Sequence, residues 1–201
     1  MEIEEKIKNA YEESIKVKEL FFKENIAIIK EVAELIAKTL SEGGKILIFG
    51  NGGSATDASH IAAEFVNRFK RERPGLPAIA LNTDMAVITA IANDYDYSEI
   101  FAKQIKALGQ KGDVAIGIST SGSSRNVIKA IEVAKKRGLK TIAFTSKKGE
   151  KLISKVDYAF AVASEETPRI QETHITLGHI LCELVEDILF ELPVTKRKTE
   201  Q

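Results

Sequence analysis

Five short apolar runs constrain this chain more than any other feature: Lys45–Gly50, Ala78–Leu81, Val114–Ile118, Thr141–Phe144 and Tyr158–Val162. Each is near-continuous rather than alternating, the pattern of a strand covered on both faces. Helical patterns lie between them. Ile61, Phe65 and Phe69 share one face, and Val127, Ile128, Ile131 and Ala134 share another. A last long helix is expected from about Pro168 to Phe190. Strands alternating with helices predict an α/β fold: an open parallel sheet, doubly wound in the flavodoxin-like manner and flanked by helices. With 201 residues the chain can bury one substantial core. A single domain over 1–201 is therefore expected, with an N-terminal helical segment over 1–41 and the parallel core over 45–190.

The N-terminal forty residues contain no Gly or Pro. Ile3, Ile7, Ala10, Val17, Phe21 and Ile28 recur at spacings of three, four and seven, a helical stripe. Leu20, Phe22, Ile26, Ile29, Val32, Leu35 and Ile36 widen that stripe beyond one core face. A helix apolar over so much of its girth must be covered on several sides. The expectation is that its own domain and a partner subunit share the task, so that the segment helps build an oligomer. Ser41-Glu42-Gly43-Gly44 should end it.

Acidic and basic residues balance, 29 against 29. A nucleic-acid binder usually carries a basic excess, so no nucleic-acid partner is expected, although Arg68, Lys70, Arg71 and Arg73 form a local basic patch. No apolar run reaches the length of a membrane span, and Met1–Lys6 is mixed charge with no apolar signal core. The expectation is a cytoplasmic protein with no membrane partner. The single cysteine, Cys182, precludes an intrachain disulfide and reads as a small buried hydrophobe on a helix. The tail, Thr195–Gln201, is polar and reads as frayed.

In open parallel sheets, ligands bind beyond the carboxyl ends of the strands. Two such ends are unusual. Gly50-Asn51-Gly52-Gly53-Ser54 lets the backbone turn tightly, with Ser54 or Thr56 available to cap the next helix. It fits neither the dinucleotide fingerprint nor the P-loop. Ser119-Thr120-Ser121-Gly122-Ser123-Ser124 supplies five hydroxyls ahead of a helix N-terminus, a combination suited to a phosphate dianion. His60 and Glu64, four apart, share a helix face. The last helix adds Gln171, Glu172, His174 and His179. Two histidines, a carboxylate and an amide oxygen from this pool suit a first-row divalent metal, with zinc the natural candidate. Gln171 and His179 are about 12 Å apart along a continuous helix. One metal can take both only if the helix is irregular or if two subunits contribute.

These motifs together identify a resemblance. Gly50–Ala55, His60 with Glu64, Leu76–Leu81, Thr89–Asp94, Gly117–Gly122 and Arg169–Glu172 with His179–Glu183 resemble the sugar isomerase (SIS) domain family, and within it the phosphoheptose isomerases. The match spans nearly the whole chain. The resemblance implies conversion of D-sedoheptulose 7-phosphate to D-glycero-D-manno-heptose 7-phosphate by aldose–ketose proton transfer, at the start of ADP- or GDP-heptose precursor synthesis. It implies a homotetramer with active sites between subunits. It implies that Ser119, Thr120, Ser121 and Ser124 hold the phosphate, that Asn51, Gly52, Gly53, Asn93 and Asp94 contact the sugar, and that Glu64 and Gln171 also touch substrate. It implies zinc held by His60, Glu64, Gln171 and His179, with Glu64 and His179 moving protons.

The chain departs from the family pattern at Ser123–Asn126, where many relatives carry Asn-Ser-Pro-Asn, and at Pro168, where a small residue is usual. A non-catalytic relative of the same fold, the DnaA initiator-associating protein, is also similar around Asn67–Phe69, Glu72–Pro74 and Leu81–Asp84. It lacks counterparts of Glu64 and His179. Their presence here favours an enzyme over a scaffold.

Overall fold

The computed structural model describes residues 2–190. The polar tail expected to fray lies outside them. The chain runs through α1 (Ile3–Ser41), β1 (Ile46–Gly50), α2 (Gly53–Val66), β2 (Ala78–Ala80), α3 (Met85–Asp94), a 3-10 turn (Tyr97–Glu99), α4 (Ile100–Leu108), β3 (Val114–Ile118), α5 (Arg125–Lys136), β4 (Lys140–Ser146), α6 (Glu150–Ile153), β5 (Tyr158–Val162) and α7 (Thr167–Phe190).

All five strands are parallel, in the order β2-β1-β3-β4-β5. The near-continuous apolar runs have a direct cause. Alternate residues of one strand serve two cores. Ile46 and Ile48 of β1, with Ile116, Ile118 and Phe144, pack under α1, α2 and α7. Leu47 and Phe49, with Ala115 and Ala143, pack under α4 and α5. The order reverses between β1 and β3, whose last residues, Gly50 and Ile118, are in register. That reversal opens a crevice at the carboxyl ends of these two strands.

The N-terminal stripe divides in two. From Phe21 to Leu40 the inner face of α1 is buried. Before that, Ile3, Ile7, Tyr11 and Ile15 are between 52% and 76% exposed. These four side chains are not covered within the chain. α1 ends in a Schellman turn: Gly43, at φ +84°, donates its N–H to Leu40 O, and Gly44 donates to Thr39 O.

Two local expectations are corrected. Phe69 is not on the second helix, because α2 stops at Val66. The Arg73 guanidinium takes the last helical carbonyls, with Nη1 donating to Phe65 O at 2.7 Å and Nη2 to Glu64 O at 2.9 Å. Neither Ser54 nor Thr56 caps α2. Gly52, at φ +56°, is the N-cap, and Thr56 Oγ1 donates back to Gly53 O. Cys182 is 2% exposed, and burial pushes its thiol pKa far up. It packs in the core beneath α1, α2 and α7.

Candidate active site

The glycine turn after β1 and the serine turn after β3 face each other across the crevice. The Asn51 and Asn126 amides exchange two hydrogen bonds, Asn51 Nδ2 to Asn126 Oδ1 at 2.9 Å and Asn126 Nδ2 to Asn51 Oδ1 at 2.8 Å. Tyr97 donates its hydroxyl to Asn51 Oδ1 at 3.2 Å. With Ser124 and Arg125 these residues line a cleft of about 350 Å³. Asn126 is 3% exposed, so its side chain is held in one orientation. Its position was legible only as part of a polar run, and Tyr97 carried no signal in the sequence.

The serine turn is tied within itself. Gly122, at φ +62°, donates its N–H to Ser119 O. The hydroxyls of Ser119 and Ser124 lie 3.0 Å apart, and those of Ser121 and Ser123 lie 2.9 Å apart. Ser124 is the N-cap of α5 but makes no side-chain cap, and of the first N–H groups that of Val127 donates to Asn126 Oδ1 at 2.9 Å. A helix N-terminus ringed by hydroxyls attracts a dianion. Thr120 and Ser121 also line a second cleft, about 260 Å³, with Ser146, Lys148, Ser164 and Thr167.

The groove between α2 and α7 holds the ionisable cluster. The helices approach closely because Gly178 faces Ile61; a β-carbon there would lie 2.6 Å from Ile61 Cδ1. His60 Nε2 sits 3.2 Å from Glu64 Oε1 and 3.4 Å from His179 Nε2. The two imidazoles meet edge to face, 4.9 Å between centroids. Burial and the nearby His60 pull the His179 pKa down, with Glu64 opposing. His179 is therefore neutral at pH 7, with a nitrogen able to accept a proton or a metal. The donor atoms of His60, Glu64 and His179 all lie within 4.8 Å of one another. Two imidazole nitrogens and a carboxylate oxygen converging so tightly fit a first-row divalent ion.

The remaining expected residues fall elsewhere. α7 runs unbroken from Thr167 to Phe190, so helix irregularity does not bring Gln171 to His179. The Gln171 amide lies over Gly53, where any side chain would collide with it. Asn93 and Asp94 pair with each other at 3.0 Å at the end of α3. No hydrogen bond among the described residues joins that pair to the serine turn or to the cluster. His174 faces the sheet, fully buried, with Nε2 donating to Thr145 O at 3.1 Å. It is no part of the cluster. Asp57, one turn before His60 on α2, is a group that spacing alone did not single out. Its Oδ2 is buried without a partner, and burial raises its pKa against the pull of His60.

Comparison with known proteins identifies the relatives of this chain. The SIS domain family matches residues 10–146. A phosphoheptose isomerase of Thermodesulfovibrio yellowstonii is 87% identical over 201 residues, covering 100% of both chains. The structure of phosphoheptose isomerase GmhA from Neisseria gonorrhoeae superposes with TM-score 0.87 at 41% identity, covering 92% of this chain and 100% of that one. A phosphoheptose isomerase structure from Francisella tularensis gives TM-score 0.89 at 38% identity, over 93% and 100%. The chain belongs to the SIS domain family and, within it, to the phosphoheptose isomerases.

Proposed function

We propose that this chain interconverts D-sedoheptulose 7-phosphate and D-glycero-D-manno-heptose 7-phosphate, the entry step toward nucleotide-activated heptose. The observation that carries the reading is the convergence of His60, Glu64 and His179 in one groove of a chain related to phosphoheptose isomerases. A non-catalytic scaffold of the same fold has no use for three such groups.

The reaction moves a carbonyl between C1 and C2. A proton leaves the carbon beside the carbonyl, an enediol forms, and the proton returns to the neighbouring carbon. We assign Glu64 and His179 as the acid–base pair. A carboxylate oxygen of Glu64 and a ring nitrogen of His179 not engaged by a metal would take and return protons, one group at carbon and the other at the two oxygens. The lowered pKa of His179 keeps its imidazole neutral at pH 7, with one ring nitrogen able to accept. Ser119, Thr120, Ser121 and Ser124, with the N-terminus of α5, hold the phosphate away from the reacting carbons, and that binding energy aligns the sugar. Asn51, Gly52, Gly53, Asn93 and Asp94 contact its hydroxyls.

His60, Glu64 and His179, joined by Gln171, would hold zinc, which when bound would stabilise negative charge developing on the substrate oxygens. Gln171 of the same chain lies over Gly53; a Gln171 from a neighbouring subunit would complete the set. A homotetramer fits that need. The exposed apolar start of α1, and an α3 with no buried residue, offer surfaces for it. No helix among the described residues is long and apolar enough to cross a membrane. A phosphorylated substrate fits a cytoplasmic enzyme.

The test is incubation with sedoheptulose 7-phosphate, with fructose 6-phosphate as comparator, followed by NMR. The expected result is aldoheptose 7-phosphate, with the hexose phosphate turned over far more slowly. Preference for the hexose would reassign the substrate. No turnover of either by folded protein, with or without zinc, would overturn the enzyme reading.

A further inference from the structure

The backbone of the segment between α2 and β2 is anchored to α7 by one carboxylate, while the side chains of Lys70 and Arg71 pair with Glu183 and Asp187 of the same helix at 2.6 and 2.7 Å. Glu186, 1% exposed, accepts the N–H of Phe69 on Oε2 at 3.1 Å, and those of Lys70 and Arg71 on Oε1 at 2.9 and 2.7 Å. Arg73 Nε donates to Oε2 at 3.0 Å, from a side chain only 2% exposed. Burial alone would raise the Glu186 pKa, but these donors more than offset it and hold the carboxylate ionised. The same Arg73 also fixes the Glu64 carbonyl.

A buried ion pair of this kind is a weak source of net stability against an apolar pair of similar size. What it does here is present Phe69. The Phe69 ring stacks on the His179 imidazole, 5.7 Å between centroids at an interplanar angle of 27°. Glu186 lies seven residues after His179, two turns along the same side of α7. The carboxylate that grips the loop thus rises from the helix side that carries the imidazole.

An imidazole turns about its last side-chain torsion in a broad well. One neighbour at Nε2, His60 at 3.4 Å, does not set the ring plane. A flat ring against one face does. We propose that Phe69, held in place by the Glu186–Arg73 pair, is a positioning residue that fixes the rotation of the His179 imidazole so that Nε2 faces His60 and Glu64. The role in turnover rests on the isomerase reading above; the ring geometry does not.

The experiment compares wild type, Phe69→Leu and Phe69→Tyr, all metal-free, by NMR of the imidazole carbons and nitrogens. The chain has three histidines, so assignment is direct. Wild type should give one sharp His179 ring signal, displaced by the Phe69 ring current. Phe69→Leu, which keeps apolar bulk, should lose the displacement and broaden, while Phe69→Tyr should restore it. In steady state Phe69→Leu should lose about tenfold in kcat with KM changed by less than about twofold, and Phe69→Tyr should stay near wild type. An unchanged His179 signal in Phe69→Leu overturns the proposal. So does a changed signal with unchanged kcat, or a tyrosine variant as impaired as the leucine one. If wild type itself turns over no sugar phosphate, the isomerase reading fails, and the ring spectra alone decide the positioning of His179.

Discussion

Nε2 of His60 and Nε2 of His179 face each other across 3.4 Å, although the residues are 119 positions apart in the chain. With Glu64 Oε1 3.2 Å from the first of them, three acceptors point at one small volume. Such a set is stable only with a proton or a cation inside it. His60→Ala and His179→Ala should each weaken zinc binding by more than about 100-fold, exceeding the typical effect of outer-shell changes. Competition with a chromophoric chelator measures this. Affinity in the wild type should fall as pH falls, because both imidazoles must be neutral to bind.

Gly122→Ala probes the serine turn. Gly122 sits at φ +62°, and a β-carbon there would collide with the Gly149 backbone. The left-handed conformation alone costs an L-residue about 1–2 kcal/mol. The turn must shift, moving Ser119 and Ser124 off their 3.0 Å contact. The expected outcome is a KM for the sugar phosphate raised by roughly tenfold or more, a smaller change in kcat, and a lower Tm.

Much of this fold was legible in the sequence, because two-sided burial leaves few polar residues in a parallel strand. All five apolar runs became strands, and the Gly43-Gly44 stop was readable from chain chemistry alone. α3 and α4 were not. α3 buries no residue in the single chain, so its apolar positions follow no one-sided pattern. Phe69 was misread for a different reason. Its spacing continues α2, but Arg73 and Glu186 capture the backbone and end the helix, and no local pattern encodes a contact made more than a hundred residues away. The His60–Glu64 pair was visible as a helix face, whereas its meeting with His179 depends on the packing of α2 on α7. The Gln171 difficulty was also visible in advance, from helical rise alone.

His174 predicts a pH dependence of stability. It is fully buried, and burial lowers its pKa from 6.5 to about 4. Between those values the unfolded chain binds a proton that the folded chain refuses, so stability rises with pH there. The contribution is complete above pH 6.5 and is lost as pH falls toward 4, by about 3 kcal/mol in all. His174→Gln can still donate to Thr145 O but does not titrate. Its denaturation midpoint should fall less steeply than the wild-type one between pH 6.5 and 4.

Assembly is tested on the exposed half of α1. Ile7 and Ile15 are 62% and 55% exposed. In the proposed tetramer they are covered, so Ile7→Glu with Ile15→Glu would place two carboxylates in an apolar contact. Light scattering should report a smaller species, with far-UV circular dichroism retained and turnover lost. A fully active protein of unchanged mass would remove this face from the interface.

Glu64 is one of the two groups proposed to move protons during the isomerisation, and the direct measurement is turnover of sedoheptulose 7-phosphate by Glu64→Gln beside wild type, with substrate binding followed by calorimetry in the same preparations. The amide keeps the shape of the carboxylate but cannot accept the proton. The predicted result is a kcat reduced by at least about 100-fold, in line with loss of a general base, with the sugar phosphate still bound. Turnover by Glu64→Gln within a few-fold of wild type would contradict it.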